Sequence, residues 1–598
     1  MKNRERVSDI LIKFLEDKAI EKVFLLSGGM MMHLLDSVSK SNKINYYCFH
    51  HEQAAAMAAE SYSRVSNKTG VCFATSGPGS TNTITGIVGA WLDSVPLIVI
   101  TGQSRNSLTV KESKIKNLRM LGNFEVDIEN ISKPITKYSA VVDKAEDILF
   151  HLEKAFFIAN DGRPGPVLLD IPLDIQGAQV DIVKLHHYLP NKKIDHIDIE
   201  AFSKLIDKIS ISNRILIIGG HGIRVANQVQ NFREMISEFC IPIVTTQLAN
   251  DLIQYDNQYY IGKVGLRGDR AGNFAIQTAD LIITIGTSLH VTTTGYELDA
   301  FAPNAYKVVI DLDESILEKN KLISDIQIKC DVEQTINFLR CKVSCDNIKL
   351  DENWVKHISE IKKTFTVINE NHNFSKDFIN TYSIVNTLSN LLSGDEVIIT
   401  DAGSLYYIVG QTFRVKGNQR VIISGALGAM GYALPASIGA CIASPSKSII
   451  CLTGDGSMQT NVQELQTVSQ YNLNCKIIVI NNKGYASIRN TQASFLDGHI
   501  AASSEDTGVT FPNWEQIASA YSLKYYKIVT EDLMAKTLSN ILSEVGPSFC
   551  EIVISENVVM MPAVTSIKLP DGSFRSNTLN EMSPILNGVE ILDISKYQ

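Results

Sequence analysis

The chain has 598 residues, 45% of them hydrophobic and 20% charged, with a formal net charge of −9, a length that predicts several domains with sizeable cores. The acidic balance offers no basic face for a nucleic-acid backbone, and no run approaches the roughly 20 apolar residues needed to span a bilayer. The ten cysteines show no metal-ligand spacing. Several, such as Cys72 and Cys451, fall inside apolar runs, while Cys341 and Cys345 are expected as free thiols, which points to a reducing cytoplasm.

In chain order, MKNRERVSDILIKFLEDKAI reads as an amphipathic helix with charges throughout, not as a signal peptide. A first block follows in which VCFAT, PLIVIT and PVLLDIP alternate with helical stretches, the look of a parallel sheet covered on both faces. Within it FHHEQAAAMAAESYSR places Glu52 at the head of a helix of small residues. The helix macrodipole alone favours an acid there, and the alanines allow close helix packing. The polar segment VDIVKLHHYLPNKKIDHID reads as a linker, and a second block begins again with ILIIGG, PIVTT, LIITIG and KVVIDLD. From Cys345 to about Ser375 the chain is polar and reads as irregular. The third block runs EVIITDAG, RVIIS, SIICLTGDG, KIIVINN and FCEIVI, and after residue 556 a tail with MMPAV and PDGSFR shows no clear periodicity; surface packing is the expectation for it, folding over a site the alternative. The whole predicts an α/β protein of three doubly wound parallel sheets in series.

The chemistry concentrates at residues 454–490. SIICLTGDGS reads as a buried strand ending in a glycine turn, NVQELQTVSQY as a helix and KIIVINN as the neighbouring parallel strand. Asp455 and Asn482 would then sit side by side as hard oxygen donors suited to Mg²⁺ or Ca²⁺. Gly456 lets the backbone approach a phosphate closely, with Ser457 and Tyr485 flanking. DAGSLYY adds Gly403, Ser404 and Leu405, backbone N–H groups at a helix start.

These motifs resemble the diphosphate and metal signature of the thiamine diphosphate enzymes. With HEQ-A, TSGPGSTN, WLDSVPLIVITGQ, GRPGPVLLDIP, FAPNA-YKVVIDLDE and GALGAMGYALPASIGA, the chain looks like the acetolactate synthase branch over essentially its whole length. SGGMMMHLLDS, GAWLDS and GDRAGNFAIQTADL look most like the acetyl-transferring carboligases of bacterial surface-polysaccharide and branched-sugar pathways. The resemblance implies a pyrimidine-binding domain over 1–185, a central FAD-binding-like domain over 186–350, a diphosphate- and Mg²⁺-binding domain over 370–560 and a tail over 561–598. It implies thiamine diphosphate and Mg²⁺, with Asp455, Asn482 and the carbonyl of Gly484 as metal ligands. Glu52 would hydrogen-bond the pyrimidine nitrogen of the cofactor, and Met430 would support its bent form. Glu52 and Asp455 meet, in that family, across a homodimer or dimer of dimers.

The resemblance also implies FAD in the second block, with Gly219, Gly220 and Gly222 of ILIIGGHGIR at its pyrophosphate, Gly265 and Arg267 of GLRG at its ring, Asp311 at ribose or adenine, Arg163 from GRPGPV, and Thr246 and Gly286 alongside. Three departures bear on the substrate. Ser288, in GTSLHVTTTGYE, falls where acetolactate synthases carry an arginine for the second 2-oxo acid, and Thr491 stands near a tryptophan of their acceptor pocket. Phe124, in GNFEVD, replaces a glutamine. Losing the charge partner removes about 1.5–3 kcal/mol of hydrogen bonding, although Arg267 or Arg489 offer substitutes. The expectation is a carboligase that decarboxylates pyruvate and passes the acetyl unit to a non-carboxylate carbonyl such as a keto-sugar. The alternatives are acetolactate synthesis from two 2-oxo acids, simple decarboxylation, and a non-catalytic scaffold.

Overall fold

The computed structural model describes residues 4–191, 197–368, 370, 379–586 and 589–597. Three six-stranded sheets, all parallel, form its frame. The first orders its strands Asn45–Cys48, Lys22–Leu25, Gly70–Ala74, Leu97–Gln103, Pro166–Pro172 and Tyr138–Val141. The third repeats that winding with Arg420–Ile423, Val397–Thr400, Ile449–Gly454, Cys475–Asn481, Ser548–Val553 and Lys524–Ile528. Central strands in both are buried on nearly every residue because helices cover both faces.

The second sheet runs Tyr260–Lys263, Ile243–Thr245, Ile215–Gly219, Leu281–Ile285, Tyr306–Asp311 and Ile326–Lys329. In chain order this is 3-2-1-4-5-6, the dinucleotide-binding winding, whose crevice opens at the carboxyl ends of the strands where the order reverses. Those ends are Gly219 and Ile285. In the third sheet the reversal lies between Val397–Thr400 and Ile449–Gly454, which aims the loops at Gly403 and Asp455 into one crevice.

The helix Glu52–Ser66 lies against the helix Ala433–Ala443, joining the first and third sheets in one core. Their small residues permit it: a Cβ on Gly439 would stand 2.1 Å from the Ala58 carbonyl oxygen.

The structure corrects three expectations. The stretch after Cys345 is not irregular: Glu352–Thr364 is a helix burying Trp354, Ile358 and Ile361 at helical spacing, while 371–378 fall outside the described residues, as do 192–196 of the expected linker. The GDGS segment is no simple turn, since a helix, Asp455–Thr460, starts at the aspartate itself and is followed by the turn Val462–Glu464 and the helix Leu465–Gln470. The tail is ordered: Ala563–Val564 pairs with Met582–Ser583, and Ser566–Lys568 with Phe574–Ser576. The buried Arg270 guanidinium holds it, donating to the carbonyls of Met582 and Pro584 and pairing with Glu370. All ten cysteines are free, Cys341 and Cys345 at the surface. Among the described residues no helix is long and apolar enough to cross a membrane.

Candidate active site

Asp455 is 1% exposed. Its Oδ1 accepts the N–H of Gly456 at 2.7 Å and its Oδ2 the N–H groups of Asn482 at 3.0 Å and Gly484 at 3.2 Å. Pairing of Gly454 with Ile480 in the parallel ladder fixes this juxtaposition, as the strand-to-strand spacing predicts. Burial pushes the carboxyl up to about 6 against the lowering effect of those N–H groups. No group of three or more His, Cys, Asp or Glu side chains forms a cation cage among the described residues, so a cation at this place would have one carboxylate, an amide and backbone oxygen to meet. Asn482 is 6% exposed and its Oδ1 accepts from Arg489 at 3.3 Å. That arginine also donates to the carbonyls of Asn482, Ser503 and Glu556, which fastens the 482–484 turn.

Phosphate-sized anions have two helix starts to meet here. Gly403, at φ +77°, precedes the helix Ser404–Thr412, and Gly454 precedes Asp455–Thr460; neither has a side-chain cap. Leu405 turns into the core at 4% exposure. A Cβ on Gly456 would lie 2.4 Å from the Tyr485 ring and 3.7 Å from Met430 Cε, so Gly456, Tyr485 and Met430 form one wall. Ser457 is buried beside it. Sequence reasoning missed Asp401. Its buried carboxylate accepts the N–H of Ala433 at 2.9 Å and the Thr453 hydroxyl, tying the loop that carries Met430 to the strand that ends at Gly454. An aspartate between a strand and DAGS-type glycine was the available signal.

Glu52 heads its helix as expected, 7% exposed, with Oε2 accepting Asn82 Nδ2 at 3.0 Å. It is not among the residues lining the large cavity described next, which Gly403 does line.

That cavity, about 640 Å³, opens where the second and third sheets reverse. Arg163, Gly222, Thr246, Gly286 and Asp311 line it, as do Gly403, Ser424 and Ser487. Its volume falls within the roughly 300–1,000 Å³ of small-molecule sites. Gly219 and Gly220 pack instead: a Cβ on Gly220 would stand 2.1 Å from the Gly286 carbonyl oxygen. Gly265 likewise abuts Thr292. Arg163 pairs with Asp313 at 3.0 Å. Arg267 lines a second cavity of about 400 Å³ with Tyr407, Phe495, Lys568 and Phe574, where it donates to the Met560 carbonyl at 2.9 Å. The tail hairpin thus roofs a chamber that shares Gln247, Thr292, Tyr406 and Tyr407 with the first. Ser288 lines the large cavity, its carbonyl bonded by Lys319. Thr491 sits on the helix Ala486–Phe495, donating to the Ser487 carbonyl. Phe124 is exposed at φ +59°, while the neighbouring Glu125 accepts the N–H groups of Val110, Leu121 and Gly122.

Comparison with known proteins agrees with this frame. The family "Thiamine pyrophosphate enzyme, N-terminal TPP binding domain" matches residues 5–120, the central domain of the same enzymes residues 202–339, and the C-terminal TPP binding domain residues 401–552. The acetolactate synthase large subunit of Lactococcus lactis is 31% identical over 566 residues, 93% of this chain and 94% of that one. That of Cyanidium caldarium is 33% identical over 571 residues, 92% and 94% of the two chains. The isozyme 2 large subunit of Escherichia coli K12 is 31% identical over 575 residues, 96% and 99%. The chain belongs to the thiamine pyrophosphate enzyme family. Within that family it is an acetolactate synthase-like enzyme, and the three sheets correspond to the N-terminal, central and C-terminal domains of its members.

Proposed function

We propose that the enzyme decarboxylates a 2-oxo acid, pyruvate, on thiamine diphosphate and ligates the two-carbon unit to a second carbonyl. The observation that carries this reading is the Asp455 cradle, a desolvated carboxylate set beside Asn482 and two uncapped helix starts, which fits a divalent cation on a diphosphate. Asp455, Asn482 and the Gly484 carbonyl would hold the metal. Gly403, Ser404, Leu405, Gly456 and Ser457 would hold the phosphates, and Met430 and Tyr485 would wall the cofactor. When bound, thiamine diphosphate supplies the carbon nucleophile and the electron sink for loss of CO₂.

Glu52, oriented by Asn82, would offer its carboxylate for a hydrogen bond holding a proton at the ring nitrogen of the cofactor. The assembly this reading calls for, as the family resemblance implies, is a homodimer or dimer of dimers in which Glu52 of one protomer serves the metal site of its partner. FAD would occupy the large cavity, against Arg163, Gly222, Thr246, Gly286 and Asp311 of its lining, with Gly219, Gly220 and Gly265 shaping the backbone. Arg267 stands in the second chamber.

For the acceptor, the name acetolactate synthase carried by the relatives supports a second 2-oxo acid, and we adopt that reading, with Arg267 available to its carboxylate. The keto-sugar acceptor is the second reading, favoured by Ser288 and Thr491. Mass detection of products decides: pyruvate alone with Mg²⁺ and thiamine diphosphate is expected to give the five-carbon hydroxy acid. Turnover only after a keto-sugar is added would reverse the choice.

A further inference from the structure

The loop that delivers Glu52 is built on the segment that carries Asp455. Residues 48–51 run from the end of the strand Asn45–Cys48 to the helix start, and side chains of the third sheet's connections grip them twice. Tyr471 Oη accepts the N–H of Cys48 at 2.9 Å, its ring 5.1 Å from that of Tyr47. Glu464, 0% exposed, accepts the N–H of His50 at 3.1 Å and that of His51, while the Thr467 hydroxyl holds its other oxygen at 2.7 Å. Both grips lie on the run that starts at Asp455. Burial pushes the Glu464 carboxyl up to about 7. A carboxylate without a cation is a poor filler for a buried gap, so its use here calls for the job its oxygens do, which is to fix two N–H groups immediately before Glu52. Among the described residues its partners are this loop and its own turn, not Asp455 or Asn482.

We propose that Glu464 is a positioning residue that sets the loop presenting Glu52 of its own chain. Each active site then depends on the Glu464 of the protomer that supplies its Glu52, rather than of the protomer that supplies its metal site. The proposal rests on the reading that one chain's Glu52 and Asp455 serve different sites. It ties the two sites of a dimer through a single run of each chain.

The test compares two co-expressed, doubly tagged heterodimers carrying the same two substitutions. In trans, one chain is Glu464→Gln and the other Asp455→Ala. One site then joins an intact Glu52 loop to an intact Asp455, and about half the wild-type CO₂ release is expected. In cis, both substitutions sit on one chain beside a wild-type partner. The only site with an intact metal half then receives its Glu52 from the loosened loop, and activity is expected at least about tenfold below the trans arrangement, as an ångström-scale misplacement of a catalytic group produces. Equal activities, or more activity in cis, would overturn the proposal. Tyr471→Phe in place of Glu464→Gln is expected to show the same asymmetry and serves if the first variant does not fold. A parallel pair with Glu52→Gln and Asp455→Ala separates the premise: half activity in trans and none in cis shows a shared site, whereas half activity in cis with none in trans, or equal activities, defeats that reading and the proposal with it.

Discussion

Gly456→Ala tests the diphosphate wall. The added methyl would stand 2.4 Å from Tyr485 Cε1 and 2.7 Å from Cδ1, more than an ångström inside ordinary carbon contact. The ring cannot simply withdraw, because Phe511 packs edge-on against it with centroids 6.2 Å apart and the Tyr485 N–H is fixed on the Ser503 carbonyl at 2.9 Å. Overpacking of this kind costs about 1–3 kcal/mol. The strain falls on the N–H that bonds Asp455, so it is expected in cofactor affinity, as a loss of about 5- to 150-fold in thiamine diphosphate binding at saturating Mg²⁺. Calorimetric titration reads this directly. Tyr485→Ala added to Gly456→Ala removes the obstacle and is expected to recover affinity relative to Gly456→Ala, a coupling visible in a double-mutant cycle. Wild-type affinity in Gly456→Ala, or no recovery in the double variant, would refute the reasoning.

Three further outcomes are expected. Glu396 is 7% exposed and is held down at about 2 by hydrogen bonds that outweigh its desolvation, from the Ser393 hydroxyl, Gln419 and the N–H groups of Ser393, Gly394 and Asp395. A depressed carboxylate stabilises the fold above its unfolded value, near 4.5, and loses that contribution as pH falls towards 2. Glu396→Gln is therefore expected to cost about 2–3 kcal/mol at pH 7 and progressively less below pH 4.5, read as midpoints of chemical denaturation; a deficit independent of pH would argue against it. Arg270→Met breaks a buried ion pair and frees the tail, and limited proteolysis is expected to cut within residues 561–586 many times faster than in the wild type. Gly220→Ala drives a methyl into the Gly286 carbonyl, and purified protein is expected to lose any visible flavin absorbance that the wild type carries.

The buried central strands were legible because continuous apolar runs such as LIVI and IIVI have no other stable placement than a sheet covered on both faces. Three edge strands were not: Asn45–Cys48, Tyr138–Val141 and Lys524–Ile528 keep one side near water, so their polar residues hide the pattern. The Asp455–Asn482 pairing followed from strand spacing, since a parallel neighbour puts two strand ends side by side. Arg267 could not be placed, because its position depends on a tail 293 residues later in the chain. Glu464 and Asp401 looked like ordinary helix and loop acids, and only the contacts of Glu464 with His50, 414 residues away, and of Asp401 with Ala433 reveal what they hold.

The most direct measurement pairs calorimetry with CO₂ release for the wild type and Glu52→Gln. Wild-type protein is expected to release CO₂ from pyruvate only when Mg²⁺ and thiamine diphosphate are both present. Glu52→Gln is expected to bind both with wild-type affinity while releasing CO₂ at least about 100-fold more slowly. A wild-type rate from Glu52→Gln, or no CO₂ from the fully supplied wild type, would contradict the assignment of this site.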